Sequence, residues 1–209
     1  MINKDPLTAK LKKAVENELD KQEYFRDSII WRDDSYRVEY GIGLIRRASS
    51  YEVEVGLAIR IQEIESLWEK PYNAVFGSSA KSEQTLALNF HNWSCVSNSQ
   101  LERFYISSIE EISGTVENII KTLDLFTEQL TRFINSPSLL LSQLRDQSGS
   151  YKLIVSPHVK SLKELVITKL YAPSDLESHR SIVIGTFNSN YAEEPEEFYL
   201  NLIETAKRI

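Results

Sequence analysis

The chain is 209 residues long, 42% hydrophobic and 26% charged, a balance that supports a buried core and is too apolar for a disordered chain. Its 30 acidic residues against 24 basic leave a formal charge of -6, whose field repels polyphosphate, so no nucleic-acid partner is expected. The single cysteine excludes an intrachain disulfide and fits a reducing compartment; with no apolar secretory run at the start and no stretch of about 18 apolar residues, the expectation is a cytoplasmic protein without a membrane partner.

Asp5-Pro6 reads as an N-cap followed by proline at the first helical position, and Leu7, Leu11, Ala14, Val15 and Leu19 recur at helical spacing to about Lys21. Phe25 to Arg32 is strand-like. Tyr36, Val38, Tyr40, Ile42 and Leu44 then alternate with Arg37, Glu39, Gly41 and Gly43, and Val53 to Ile61 repeats the pattern against Glu52, Glu54, Gly56, Ala58 and Arg60, the two-residue period of a half-buried strand. Arg47 to Ser50 is short enough for a hairpin turn. Residues 69–82, with Pro71 and Gly77, read as a long loop before a fourth strand at Thr85 to His91.

From Leu101 the period becomes helical, with one stripe through Phe104, Tyr105 and Ile112 and a second from Val116 to Ile134, interrupted at Gly114 and ending at Asn135-Ser-Pro137. This predicts two helices or one kinked helix, followed by a short helical run over Leu139 to Leu144. The polar segment Arg145 to Ser150 is the best candidate boundary. Beyond it lie Val159 to Tyr171, an ambiguous stretch from Ser174 to Phe187 in which Ile182-Val183-Ile184 favours a strand, and a helical stripe from Pro195 to Arg208.

The sharpest chemical motif is Asn89-Phe-His-Asn-Trp-Ser-Cys95, which sets the only cysteine four residues after His91. A thiolate nucleophile needs a base beside it, and in an extended strand the two side chains sit about 13 Å apart at roughly 3.3 Å per residue. They meet only if the chain turns at Asn92-Trp93, so the favoured reading is a strand-end histidine and an inert thiol. His158 and His179 show no ligand spacing, and no metal or cofactor is expected. Gly41-Ile-Gly43 begins like a dinucleotide fingerprint, but Arg46 stands at the third glycine. Glu52 and Glu54 share a strand face about 7 Å apart, a glycosidase-like spacing that is also what any half-exposed strand presents.

The order helix, Tyr24-Phe25, Trp31-Arg32, then two alternating strands resembles a family of bacterial domains of unknown function in which an amphipathic helix leads into a glycine-phenylalanine and an aromatic-arginine strand. Tyr24 stands where that family has glycine, and the resemblance spans residues 7–135. It implies an immunity-type role, neutralising a toxin by binding, and carries over no catalytic residue.

The expected fold is α+β: a four-stranded antiparallel sheet with an N-terminal helix and long central helices packed on one face, plus a helical C-terminal portion. The expected division is 1–147 for the α+β domain and 151–209 for the mainly helical portion, which either packs on the first or stands apart. The leading functional expectation is a non-enzymatic bacterial protein that binds another protein through Arg37, Glu39, Glu52, Glu54 and Arg60 on the polar face of the sheet. The alternative is an enzyme or small-ligand binder whose pocket between sheet and C-terminal helices draws on Trp31, His91, Trp93, Tyr151 and His158. A third reading, a structural subunit, expects an apolar patch and a homo-oligomer.

Overall fold

The computed structural model describes residues 4–21, 36–77, 85–97, 99–145, 157–190 and 196–209. They form an α+β fold with an open four-stranded antiparallel sheet. By its internal contacts the chain resolves into two compact units, residues 1–59 with 87–132 and residues 60–86 with 133–209. Both draw on separated stretches of sequence. The division falls inside two strands and a helix, whereas the boundary expected at 148–150 lies outside the described residues.

The first unit opens with helix α1 (Lys4–Lys21). Its residues Leu7, Leu11, Val15 and Leu19 are buried because steps of four keep them on one face, and the helix packs on strand β1 (Tyr36–Arg46). The Arg47 N–H donates to the Ser50 carbonyl at 2.9 Å, closing a tight turn into β2 (Tyr51–Ile61). Val53, Val55, Leu57 and Ile59 are buried as the alternation requires. The expected strand at 25–32 lies outside the described residues.

Strand β2 is the central strand, pairing with β1, with β3 (Leu86–Asn89) and with β4 (Tyr105–Ile106). The last pairing sets Tyr51 opposite Ile106 and Glu52 opposite Tyr105. Residues 101–111, expected as a helical stripe, therefore hold a strand: Ile106 is fully buried, and the open edge of β2 at Tyr51-Glu52 satisfies its backbone better than an isolated helical turn would. A short helix α3 (Ser94–Ser97) lies between β3 and β4, and α4 (Ile112–Asn135) is one continuous helix. Gly114 falls in its first turn, where glycine does not interrupt an established ladder. Of this helix Val116, Ile119, Leu123 and Phe126 are buried, Phe126 meeting Trp93 at a ring separation of 5.5 Å.

The second unit is helical. Residues 69–76, expected as loop, belong to helix α2 (Gln62–Phe76). Proline inside a helix costs about 3 kcal/mol, and here that is offset by an aromatic ladder at i, i+4 spacing: Trp68 edge-on to Tyr72 at 5.6 Å, Tyr72 stacked on Phe76 at 4.1 Å, and Phe76 against Phe198 at 5.7 Å. Gly77 closes the helix at φ 64°, its N–H donating to the Asn73 carbonyl at 3.0 Å, the left-handed cap that glycine adopts without strain.

Helix α5 (Pro137–Arg145) starts two residues before the run expected from Leu139, and α6 (Pro157–Tyr171) packs against α2, α5, α7 (Leu176–Asn190) and α8 (Glu196–Arg208). Residues 162–168 of α6 are buried without a break, the mark of a helix surrounded on all sides. The ambiguous Ile182-Val183-Ile184 is helical, since His179, Val183 and Phe187 lie one turn apart on the buried side of α7. Among the described residues no helix is long and apolar enough to cross a membrane.

Candidate functional site

The polar side of the first unit's sheet holds its densest set of charged groups. Glu52 is 2% exposed, because Arg47 from the turn and Arg103 from the segment before β4 close on it from both sides. The Arg47 Nε donates to Glu52 Oε2 at 2.7 Å, its NH2 reaches the same oxygen, and Arg103 NH1 reaches Oε1. Desolvation pushes the Glu52 carboxyl up, but the hydrogen bonds from Arg47 and Arg103 outweigh it and hold the group below its ordinary range. Both of its oxygens are engaged and its charge is spent on two cations, so it serves neither as acid nor as base. The two guanidiniums stay partly open, with side chains 46% and 39% exposed; within the trio one positive charge is in excess, and Glu54 acts on Arg103 as well.

Apolar side chains flank that charge. Tyr105 sits directly across from Glu52 and is 50% exposed; Ile45, near the end of β1, is 38% exposed. Further along, Gly43 lies beside Glu54, such that a Cβ on Gly43 would stand 3.6 Å from the Cβ of Glu54, an ordinary contact. Glu54 Oε1 is buried without a hydrogen bond, and His91 Nε2 stands 3.5 Å away. Arg37 and Glu39 form an exposed pair at 2.5 Å on β1.

The turn that brings His91 here is fixed by two asparagines. Asn89 Oδ1 accepts from the N–H groups of His91 and Asn92, Asn92 Oδ1 accepts from the Asn89 N–H, and Asn92 Nδ2 donates to the Ala87 carbonyl, all at 2.8 to 3.1 Å. Side-chain amides of this kind replace a backbone ladder with a turn. The chain thus turns at 90–93 and carries Cys95 into α3, while the side chain of Cys95 lies outside the described set.

Arg60, at the end of β2, is set apart from the other residues expected on the polar face. Arg60 belongs to the second unit, where its guanidinium binds Glu69 at 3.0 and 3.1 Å and lies 3.9 Å from Glu65. Of the alternative pocket, Trp93 is a core residue whose Nε1 donates to Ser99 Oγ at 3.0 Å, and His91 is a surface residue of the sheet. Trp31 and Tyr151 lie outside the described residues, as does the side chain of His158 on α6.

Two features of the second unit carried no signal in the sequence. Lys163 and Glu65 are fully buried and paired at 2.9 Å; Glu65 also accepts from Trp68 Nε1 at 2.7 Å and from Thr85 Oγ1 at 2.5 Å, while Thr85 Oγ1 accepts the Ile61 N–H at 2.7 Å. Burial pushes the Lys163 ammonium below its ordinary range, and Glu65 offsets this only in part. With no surface exposed, this lysine reaches no substrate; it ties α6 to α2. The adjacent Glu164 turns instead toward α7, its Oε2 lying 3.5 Å from His179 Nε2, where a cavity of about 610 Å³ opens between α5, α6 and α7. No group of three or more His, Cys, Asp or Glu side chains among the described residues is arranged to hold a metal ion. Compared with family models, curated proteins and solved structures, the chain matches none of them.

Proposed function

We propose that this chain is a non-enzymatic binding protein that docks another protein on the polar face of its first unit, and that the partner presents a carboxylate there. The observation that carries the reading is the Arg47–Glu52–Arg103 clamp: a buried carboxylate fixes two guanidiniums in place and leaves one charge in excess between the exposed Ile45 and Tyr105. Arginine and tyrosine held rigidly on a flat surface are the side chains that dominate association energies, and a preset clamp spares the partner the cost of ordering them. His91, whose side chain is 62% exposed beside Glu54, offers a second polar point on the same face. The lone cysteine fits a reducing cytoplasm, and the resemblance over residues 7–135 favours a bacterial setting in which the partner is a toxin held inactive.

Affinity capture with the whole chain tests this. The proposal expects a protein recovered by the wild type, depleted at least severalfold by Arg103→Ala and by Tyr105→Ala, and retained by Glu128→Ala on the exposed side of α4. Equal recovery by all four chains would count against it.

A further inference from the structure

We propose that the partner docks as an extended segment that adds a strand to the open edge of β4, setting an acidic side chain on the Arg103 side and apolar side chains on the opposite side. This rests on the docking face proposed above and names what the partner presents to it. The register fixes which backbone groups are open. The Val53 N–H donates to the Phe104 carbonyl at 3.0 Å, and Tyr51 lies opposite Ile106. Backbone groups alternate between the two edges of a strand, so Phe104 and Ile106 turn theirs toward β2 while Arg103 and Tyr105 turn theirs away. In the sheet β4 pairs with β2 alone, and the backbone N–H and C=O groups of Arg103 and Tyr105 have no hydrogen-bond partner among the described residues. The next outward donor, the Ser107 N–H, is taken by Glu111 Oε2 at 2.7 Å, which ends the open stretch. Residues 100–104, leading into β4, belong to no helix.

Unpaired donors and acceptors along a sheet edge are completed by an extended chain, whose side chains then point alternately to the two faces. The faces differ here. On one stand Arg103 and the 50% exposed Tyr105, within a trio that holds one positive charge in excess. On the other, a cavity of about 260 Å³ lies between residues 101–104 and α4, lined by Leu101, Phe104 and the 39% exposed Leu125, with Glu102 and Lys121 beside them. The segment that fits is therefore an Asp or Glu with an apolar residue on either side. A second copy of this chain fits less well, because pairing β4 with itself brings two clamps, each with positive charge in excess, side by side.

The test selects random dodecapeptides displayed on phage against the whole chain, and the enriched peptides are synthesised for calorimetric titration. The expected consensus is an acidic residue between two apolar ones. Methylating the peptide's backbone nitrogens one at a time should reveal a two-residue period: affinity falls about tenfold or more where the amide faces β4 and changes little at the neighbouring positions. This arm leaves the protein itself unaltered. Arg103→Ala should weaken the same peptides severalfold. Weakening by Arg103→Ala without any period in the methyl scan leaves the docking face standing and overturns strand addition. A period indifferent to Arg103→Ala overturns the placement of the acid on the clamp, and with it the docking face. Failure to enrich any peptide overturns the proposal. So does a whole chain that sediments as a dimer and becomes monomeric in Tyr105→Pro, which assigns the edge to a second copy.

Discussion

At the scale of single residues, the alternation around Glu52 and Glu54 is written in the sequence, but what it means depends on Arg103, 51 positions away. No local pattern announces that partner, so a strand face read as wet turns out to seal one carboxylate while its arginines face outward. The same limit applied to His91: Asn92 signalled a turn, but the double asparagine lock and the approach to Glu54 depend on where β3 ends. Glu52 carries a prediction with a definite sign. Its folded-state pKa is below the 4.5 of the free group, so its contribution to stability is complete above about pH 4.5 and is lost as pH falls through the folded value. Urea denaturation of the wild type and Glu52→Gln should therefore show a stability gap that is constant near neutrality and closes in acid. A gap that persists unchanged at low pH would mean that ionised Glu52 is not what the clamp depends on.

At the scale of elements, those with strong periodicity and matching punctuation were legible: α1, the β1–β2 hairpin, the end of α4 at Asn135 and the presence of a short helix after it. The misreadings share a cause, which is tertiary burial overriding a local preference. Pro71 argued against a helix that its aromatic ladder sustains, and Ile182-Val183-Ile184 argued for a strand where Val183 needed one side of a helix. Helix α6 is the extreme case. It is buried on every side, so it shows no one-sided stripe, and the adjacent charges Lys163 and Glu164 point to different neighbours. Removing one member of a buried ion pair costs about 3 to 5 kcal/mol, whereas removing both charges together is often close to neutral. Glu65→Gln should accordingly destabilise the protein by about 3 kcal/mol or more, and adding Lys163→Met should recover most of that loss in chemical denaturation. Losses that simply add would show that the pair is not a coupled unit.

At the scale of the whole molecule, the fold class was legible, and the division into two units joins stretches far apart in sequence. Hydrophobic pattern reports which residues are buried, not which distant stretch buries them, and helix α2 belongs with α6 and α8 although it follows directly on β2. A fragment ending at residue 147 therefore strips Ile64, Trp68 and Phe76 of the helices they pack on. It should bind a hydrophobic dye and melt without a cooperative transition, whereas a sharp melt would show that 1–147 is an independent domain. The central claim, that the chain works by docking a protein on the Arg47–Glu52–Arg103 face, is tested most directly by calorimetric titration of the captured partner into the wild type, Tyr105→Ala and Glu128→Ala. A central anchor is worth about 2 kcal/mol or more, so Tyr105→Ala should weaken binding roughly 30-fold while Glu128→Ala leaves it unchanged. Wild-type affinity in Tyr105→Ala would contradict the claim.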